Sequence, residues 1–255
     1  MKEITVSVFR MAVSSGAYEN IGKVRSMAEE MDSADIFILP ELWTGMCGTE
    51  ESKAALDAVC RVCRDKGVYA VAGTMPWPCG GRPANRAWII NDAGMPFAHY
   101  DKAHLFSSCG EDKIFAAGNA PLIFRFRGAT CSVMVSYDIM FPEYARCAGL
   151  AGGEIIFVPA GPPAMWGGAW EALVRSSAAS SQAYVIACAS SGAGLTHEAA
   201  FASIVATPAG DIGGLMDDGE GVLTSRLDMS EIYKCRKLRP LTRDRRPELY
   251  GLIGG

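Results

Sequence analysis

Three short segments of this 255-residue chain carry side chains able to move protons or to attack a carbonyl group. The first is Leu39-Pro40-Glu41-Leu42-Trp43-Thr44-Gly45, where a carboxylate follows directly on an apolar run and a proline. A run buried on both faces leaves little room for a random surface charge at its end. Taken alone, Glu41 fits a helix N-cap or a structural ion pair as well as a proton carrier. The second is Tyr100-Asp101-Lys102-Ala103-His104-Leu105-Phe106, which sets Lys102 among aromatic and apolar neighbours, where its ammonium can face a developing oxyanion. His104 invites assignment as a general base, but with three histidines in the chain and no ligand pattern nearby we read it as a buried structural residue. The third is Val135-Ser136-Tyr137-Asp138-Ile139-Met140-Phe141-Pro142-Glu143. A small hydroxyl residue between a strand and a helix follows the logic of a nucleophile elbow, yet the G-x-S-x-G glycines are absent, so a Ser-His-Asp hydrolase is weakly supported. Alone, Ser136 reads as a turn residue.

Alternating strand and helix signals position these segments. Apolar periodicity predicts strands over 4–9 and 36–39, with a helix between them over 21–31. A second helix over 54–66, stopped by Gly67, leads into a strand over 68–72. The turn Asn91-Asp92-Ala93-Gly94 between 87–90 and 98–100 signals a hairpin, as does Arg127-Gly128 before a strand over 131–135. Helices over 142–150 and 170–182 and strands over 155–158, 184–189, 201–206 and 222–227 complete the pattern. Crossovers mixed with hairpins point to layered sheets rather than one doubly wound parallel sheet. The basic stretch 234–246 is expected to be a solvated or subunit-facing tail.

Composition narrows the chemistry. The chain is 49% hydrophobic with a net charge of −4, which offers no field for nucleic acid or an anionic membrane. No apolar stretch reaches the ~18 residues of a membrane span, and no signal peptide precedes the first strand. Nine cysteines lie scattered among apolar neighbours, which fits a reducing cytoplasm. Cys60 and Cys63 have no second pair nearby to complete a zinc site and read as core-facing helix positions.

The ordered set Pro-Glu, Tyr-x-Lys-x-His-Leu-Phe and x-Tyr-Asp-x-x-Phe-Pro-Glu strongly resembles the nitrilase superfamily of carbon–nitrogen hydrolases and its Glu-Lys-Cys site. The resemblance covers nearly the whole chain, including Asn20, Gly73, Gly118, Pro208 and the closing Arg246-Pro247-Glu248-Leu249-Tyr250. It implies an α/β fold, a four-layer αββα sandwich forming one domain over 1–255, and hydrolysis of a small linear amide with no cofactor or metal. Under it, Glu41 is general base and acid, Lys102 steadies the oxyanion, Glu111 orients the lysine, and the Tyr137 N–H is the other oxyanion donor. A homodimer or larger assembly is also implied.

Position 136, where the family has its nucleophilic cysteine, is serine. A thiol ionises near pH 8.5 and lower beside a cation, whereas an alkoxide is far harder to form, so turnover should be lost while shape and binding survive. Because every neighbour still fits the pattern, a deliberate Cys-to-Ser replacement that holds substrate is favoured over a natural pseudoenzyme. Leu-Pro-Glu-Leu-Trp-Thr, Tyr-Asp-Lys and Ala-Gly-Asn are shared with the omega-amidase-like branch, whose substrates are small amides of dicarboxylic acids. That branch usually has arginine where this chain has Met140. Tyr137, Met140, Met165 and Trp166, with Pro162, Pro163, Trp170 and Trp77, suggest an apolar entrance suited to a neutral or aromatic amide. Ordinary core or dimer packing is the alternative, and a nitrilase or N-carbamoyl hydrolase would use the same triad.

Overall fold

A computed structural model describes residues 3–162, 166–191 and 201–251. In chain order, β1 (Glu3–Arg10), α1 (Ala17–Glu30), β2 (Ile36–Ile38), α2 (Thr49–Lys66) and β3 (Tyr69–Trp77) lead to the hairpin of β4 (Ala84–Ile90) and β5 (Pro96–Asp101). The one-turn helix α3 (Glu111–Ile114) precedes β6 (Leu122–Phe126), β7 (Ala129–Val133), α4 (Pro142–Leu150), β8 (Ile155–Ala160), α5 (Ala169–Ser181) and β9 (Tyr184–Ala189). The last elements are β10 (Ser203–Ala206), β11 (Ile212–Met216), β12 (Gly221–Asp228) and α6 (Ser230–Leu238).

The strands form two six-stranded sheets, ordered β12-β1-β2-β3-β4-β5 and β11-β10-β9-β8-β7-β6. Strands joined by a helical crossover run parallel, as β1-β2-β3 and β7-β8-β9, and those joined by tight turns run antiparallel. Alternate residues then build three apolar interiors. Val6, Ile36, Ile38 and Val71 of the first sheet pack against Phe124, Val133, Phe157 and Ile186 of the second. Phe37 and Leu39 point the other way, onto Val24 of α1 and Val59 and Val62 of α2. Ile156, Val158 and Val185 meet Ala145 of α4 and Val174 and Ala178 of α5. The result is the expected helix-sheet-sheet-helix sandwich, with the short wholly apolar β2 buried on both faces.

The sequence pattern misses the one-turn α3, and also β11 and α6. β11 reads Ile-Gly-Gly-Leu-Met and pairs with β10, but two adjacent glycines erase the β-branched signal. The basic stretch begins inside α6, whose only buried apolar residues are Ile232 and Cys235, while Asp228 accepts hydrogen bonds from the N–H and hydroxyl of the buried Ser230 at its start. So few apolar anchors leave no visible 3.6 period. Cys60 and Cys63 lie on α2 as expected, and among the described residues no cluster could hold a metal ion. Among those residues no helix is long and apolar enough to cross a membrane.

Candidate active site

The loop after β2 delivers Glu41 to the end of the first sheet. The Leu39 N–H donates to the Val71 carbonyl, the Thr74 N–H to the Pro40 carbonyl, and the Leu42 N–H to the Thr74 hydroxyl at 2.8 Å. Gly73 permits this close approach: its φ is +56°, and a Cβ there would stand 2.2 Å from the Pro40 carbonyl oxygen. Glu41 is thereby buried, with Oε1 accepting from Lys102 Nζ (2.8 Å) and Asn85 Nδ2 (2.9 Å) and Oε2 from the Gly161 N–H (3.0 Å).

Lys102 follows β5 and is fixed through its backbone, its N–H donating to the Asn85 carbonyl and its own carbonyl accepting from Gly118. Gly118 can carry no side chain, because a Cβ would lie 2.1 Å from the Asp101 carbonyl. The Lys102 ammonium donates to both oxygens of Glu111, at 2.8 and 2.7 Å, as well as to Glu41. Glu111 is the first residue of α3 and also accepts the Phe106 N–H at 2.7 Å. Burial would push the Lys102 pKa down, but the two carboxylates outweigh it and hold it above the ordinary lysine value. Glu41 moves up as well: burial raises it, the Lys102 charge lowers it, and the Glu111 charge raises it again. A weaker lowering contribution comes from the Ser136 hydroxyl, which lies beside the Glu41 carboxylate.

Ser136 opens the 3-10 turn Ser136–Met140 between β7 and α4, buried and with φ +46°, a left-handed conformation uncommon for a residue with a side chain. Leu42, next to Glu41, has the same φ of +46°, so two of the four described non-glycine residues with positive φ sit in the loops that present the site. The fully buried Asp138 holds the elbow: Oδ2 accepts from the Val135 N–H (2.7 Å) and the Tyr100 hydroxyl (2.8 Å). Its Oδ1 accepts from the His104 N–H (2.9 Å) and pairs with His104 Nδ1 (2.7 Å). His104 is structural, as expected, but its side chain is 32% exposed rather than buried, stacked on Phe141 with ring centroids 3.9 Å apart. Asp138→Ala would leave those donors unanswered in the interior. We expect it to destabilise the fold by about 3–5 kcal/mol, read as a lower urea midpoint with an unchanged slope.

Next to the elbow, Tyr137 lies 4.6 Å from Phe106 and 6.0 Å from Trp166 between ring centroids. Trp170 packs on Trp166 and Phe201 and donates to the Ala202 carbonyl, which makes it a core residue. Met140 is 37% exposed at the end of the 3-10 turn, and Pro162 is buried. Met165 and Pro163 fall outside the described residues. Trp77 is not brought to this group: it packs against Trp88 on the first sheet, 5.1 Å away. The sequence reading missed two partners of Glu41, Asn85 and the Gly161 N–H. Counting back from the Asn91–Gly94 turn does not find Asn85, because the register shifts by one between Ile89 and Ile90; only the resulting pairing of Arg86 with Asp101 sets Asn85 beside Lys102.

The arrangement is an ammonium clamped between two buried carboxylates, with a hydroxyl on a strained turn beside one of them. Such a group can pass a proton between a nucleophile and a leaving group while the ammonium faces negative charge. The chain as a whole is similar to known proteins. The family model described as carbon-nitrogen hydrolase matches residues 5–237. The 2-oxoglutaramate amidase of Bacillus subtilis (strain 168) is 30% identical over 258 aligned positions, covering 96% of this chain and 99% of that protein. A carbon-nitrogen hydrolase from Helicobacter pylori G27 superposes with a TM-score of 0.88 at 19% identity, covering 99% of this chain and 98% of the other. A mutant of the amidase from Nesterenkonia sp. AN1 superposes with a TM-score of 0.84 at 22% identity, covering 97% and 95%. That structure shows covalent addition of the acetamide moiety of fluoroacetamide at the active site cysteine.

Proposed function

The chain belongs to the carbon–nitrogen hydrolase family, and from that premise we propose that its site is built to hydrolyse a small linear amide and is held inactive by serine at position 136. The observation that carries the reading is the Lys102 ammonium within 2.8 Å of both Glu41 and Glu111, with the Ser136 hydroxyl beside Glu41. With cysteine at 136, the sulfur would add to the amide carbon as Glu41 takes the thiol proton. Lys102 and the Tyr137 N–H, in the first turn where backbone donors have no intrahelical partner, would meet the oxyanion. Glu41 would return the proton to the departing nitrogen as the C–N bond breaks, leaving a thioester and releasing ammonia or an amine. Water would cleave the thioester, Glu41 again moving the proton, and release the carboxylic acid. Glu111 keeps Lys102 aimed. The named amidases among its relatives support this chemistry.

One ammonium against two carboxylates leaves the cluster net negative, and the elbow that carries Ser136 continues through Tyr137, which packs on Trp166, to the neutral Met140. Those residues, with Met165, are proposed to receive the acyl group. A neutral or aromatic acyl chain suits this charge balance better than a second carboxylate. The test pairs each amide with its matching nitrile in the cysteine form and measures ammonia release: faster release from amides supports an amidase, and faster release from nitriles replaces it with a nitrilase. The serine form should meanwhile show a raised melting temperature with the same amides.

The protein is also proposed to be a cytoplasmic homodimer or larger assembly. Nine unpaired cysteines support a reducing compartment. Support for assembly comes from a cavity of about 850 Å³ between α4 and the C-terminal segment, where the apolar Pro142, Leu150, Leu241 and Tyr250 stand among the charged Glu143, Arg146, Asp244 and Arg245. Light scattering at micromolar concentration should return at least twice the 27.2 kDa chain mass, and a monomer would count against it.

A further inference from the structure

Asn85 hydrogen-bonds both carboxylates of the site through one neutral side chain. It is fully buried, and its Nδ2 donates to Glu41 Oε1 at 2.9 Å and, at the limit of a hydrogen bond, to Glu111 Oε1 at 3.4 Å. Its backbone carbonyl accepts the Lys102 N–H, so the residue that supports the lysine main chain also caps the carboxylates the lysine clamps. Its Oδ1 has no partner among the described residues. A buried acceptor left unpaired costs free energy, so a structural role alone would favour an apolar side chain of the same size here. Burial and the Glu111 charge both push Glu41 toward its neutral form, in which it cannot take a proton.

We infer that Asn85 is a positioning residue, whose amide N–H holds Glu41 in its ionised form and aimed at residue 136. The proposal rests on the amidase reading for its kinetic arm only. In the chain as it stands, 13C-carboxyl labelled glutamate is titrated, and the Glu41 resonance is identified by its loss in Glu41→Gln. Asn85→Leu should move the Glu41 midpoint up by about one pH unit, because a donor to the anion has been removed. Asn85→Asp, which keeps the shape and adds a third carboxylate, should move it further and serves if the leucine variant does not fold. A midpoint unchanged in a folded variant overturns the inference. In the Ser136→Cys background, Asn85→Leu should lower kcat about tenfold, leave KM within about twofold, and shift the acid limb of the pH profile upward. An unshifted limb with kcat retained also overturns it. If the cysteine form hydrolyses no amide, the amidase reading fails, while the titration still decides the role of Asn85.

Discussion

Ser136→Cys is expected to raise amide turnover at least about a thousandfold, a barrier change of about 4 kcal/mol. The residue sits beside a base that can ionise a thiol and not a hydroxyl, since a thiol titrates near pH 8.5 and an alcohol far above any carboxylate's reach. Both side chains share one geometry, so the buried elbow should accept sulfur with less than ~1.5 kcal/mol of strain. Mass spectrometry should find an acyl adduct on the cysteine form and none on the serine form. If the cysteine form stays inactive on a broad panel of amides, carbamoyl compounds and nitriles while Glu41 and Lys102 keep their contacts, the chain is a binding protein.

Within that cysteine form, Glu41→Gln and Lys102→Ala should each remove at least about three orders of magnitude of kcat/KM. Glutamine keeps the shape of Glu41 and can still meet the Gly161 N–H, but it cannot carry a proton from thiol to leaving nitrogen. Lys102→Ala also leaves Glu41 and Glu111 facing each other with only Asn85 between them, so a lower melting temperature should accompany the loss. Retention of a tenth of the activity in either variant would remove that residue from the mechanism. Because burial raises Glu41, the activity of the cysteine form should fall with decreasing pH through a midpoint above the usual carboxylate range, as the base becomes protonated.

Glu41 and Lys102 stood out in the sequence because each follows a recognisable strand, but it was the ordered set of three motifs, not either residue alone, that marked them as a candidate site. Asn85 was not, since it sits inside β4, where a polar residue flanked by Ala84 and Arg86 looks like an outward-facing strand position. Only the pairing of β4 with β5 turns it toward the lysine. Asp138 lay in plain view within the third segment, but its partners Tyr100 and His104 are 38 and 34 residues away, a distance that propensity and periodicity do not bridge. Layered sheets were readable from the alternation of crossovers and hairpins, and the four-layer sandwich from the family resemblance. β11 and α6 were hidden by adjacent glycines and by a charge-rich face respectively.

The left-handed backbone of residue 136 also sets a hazard for anyone improving this protein. At φ +46° a side chain costs about 1–2 kcal/mol that glycine would not. A library of the cysteine form selected for heat resistance alone should therefore drift toward glycine at 136, yielding a sturdier molecule that has lost its thiol. Selection for solubility or expression yield would push the same way. Position 136 must be locked before any such campaign, because a change there that favours robustness would remove the position proposed to carry the nucleophile.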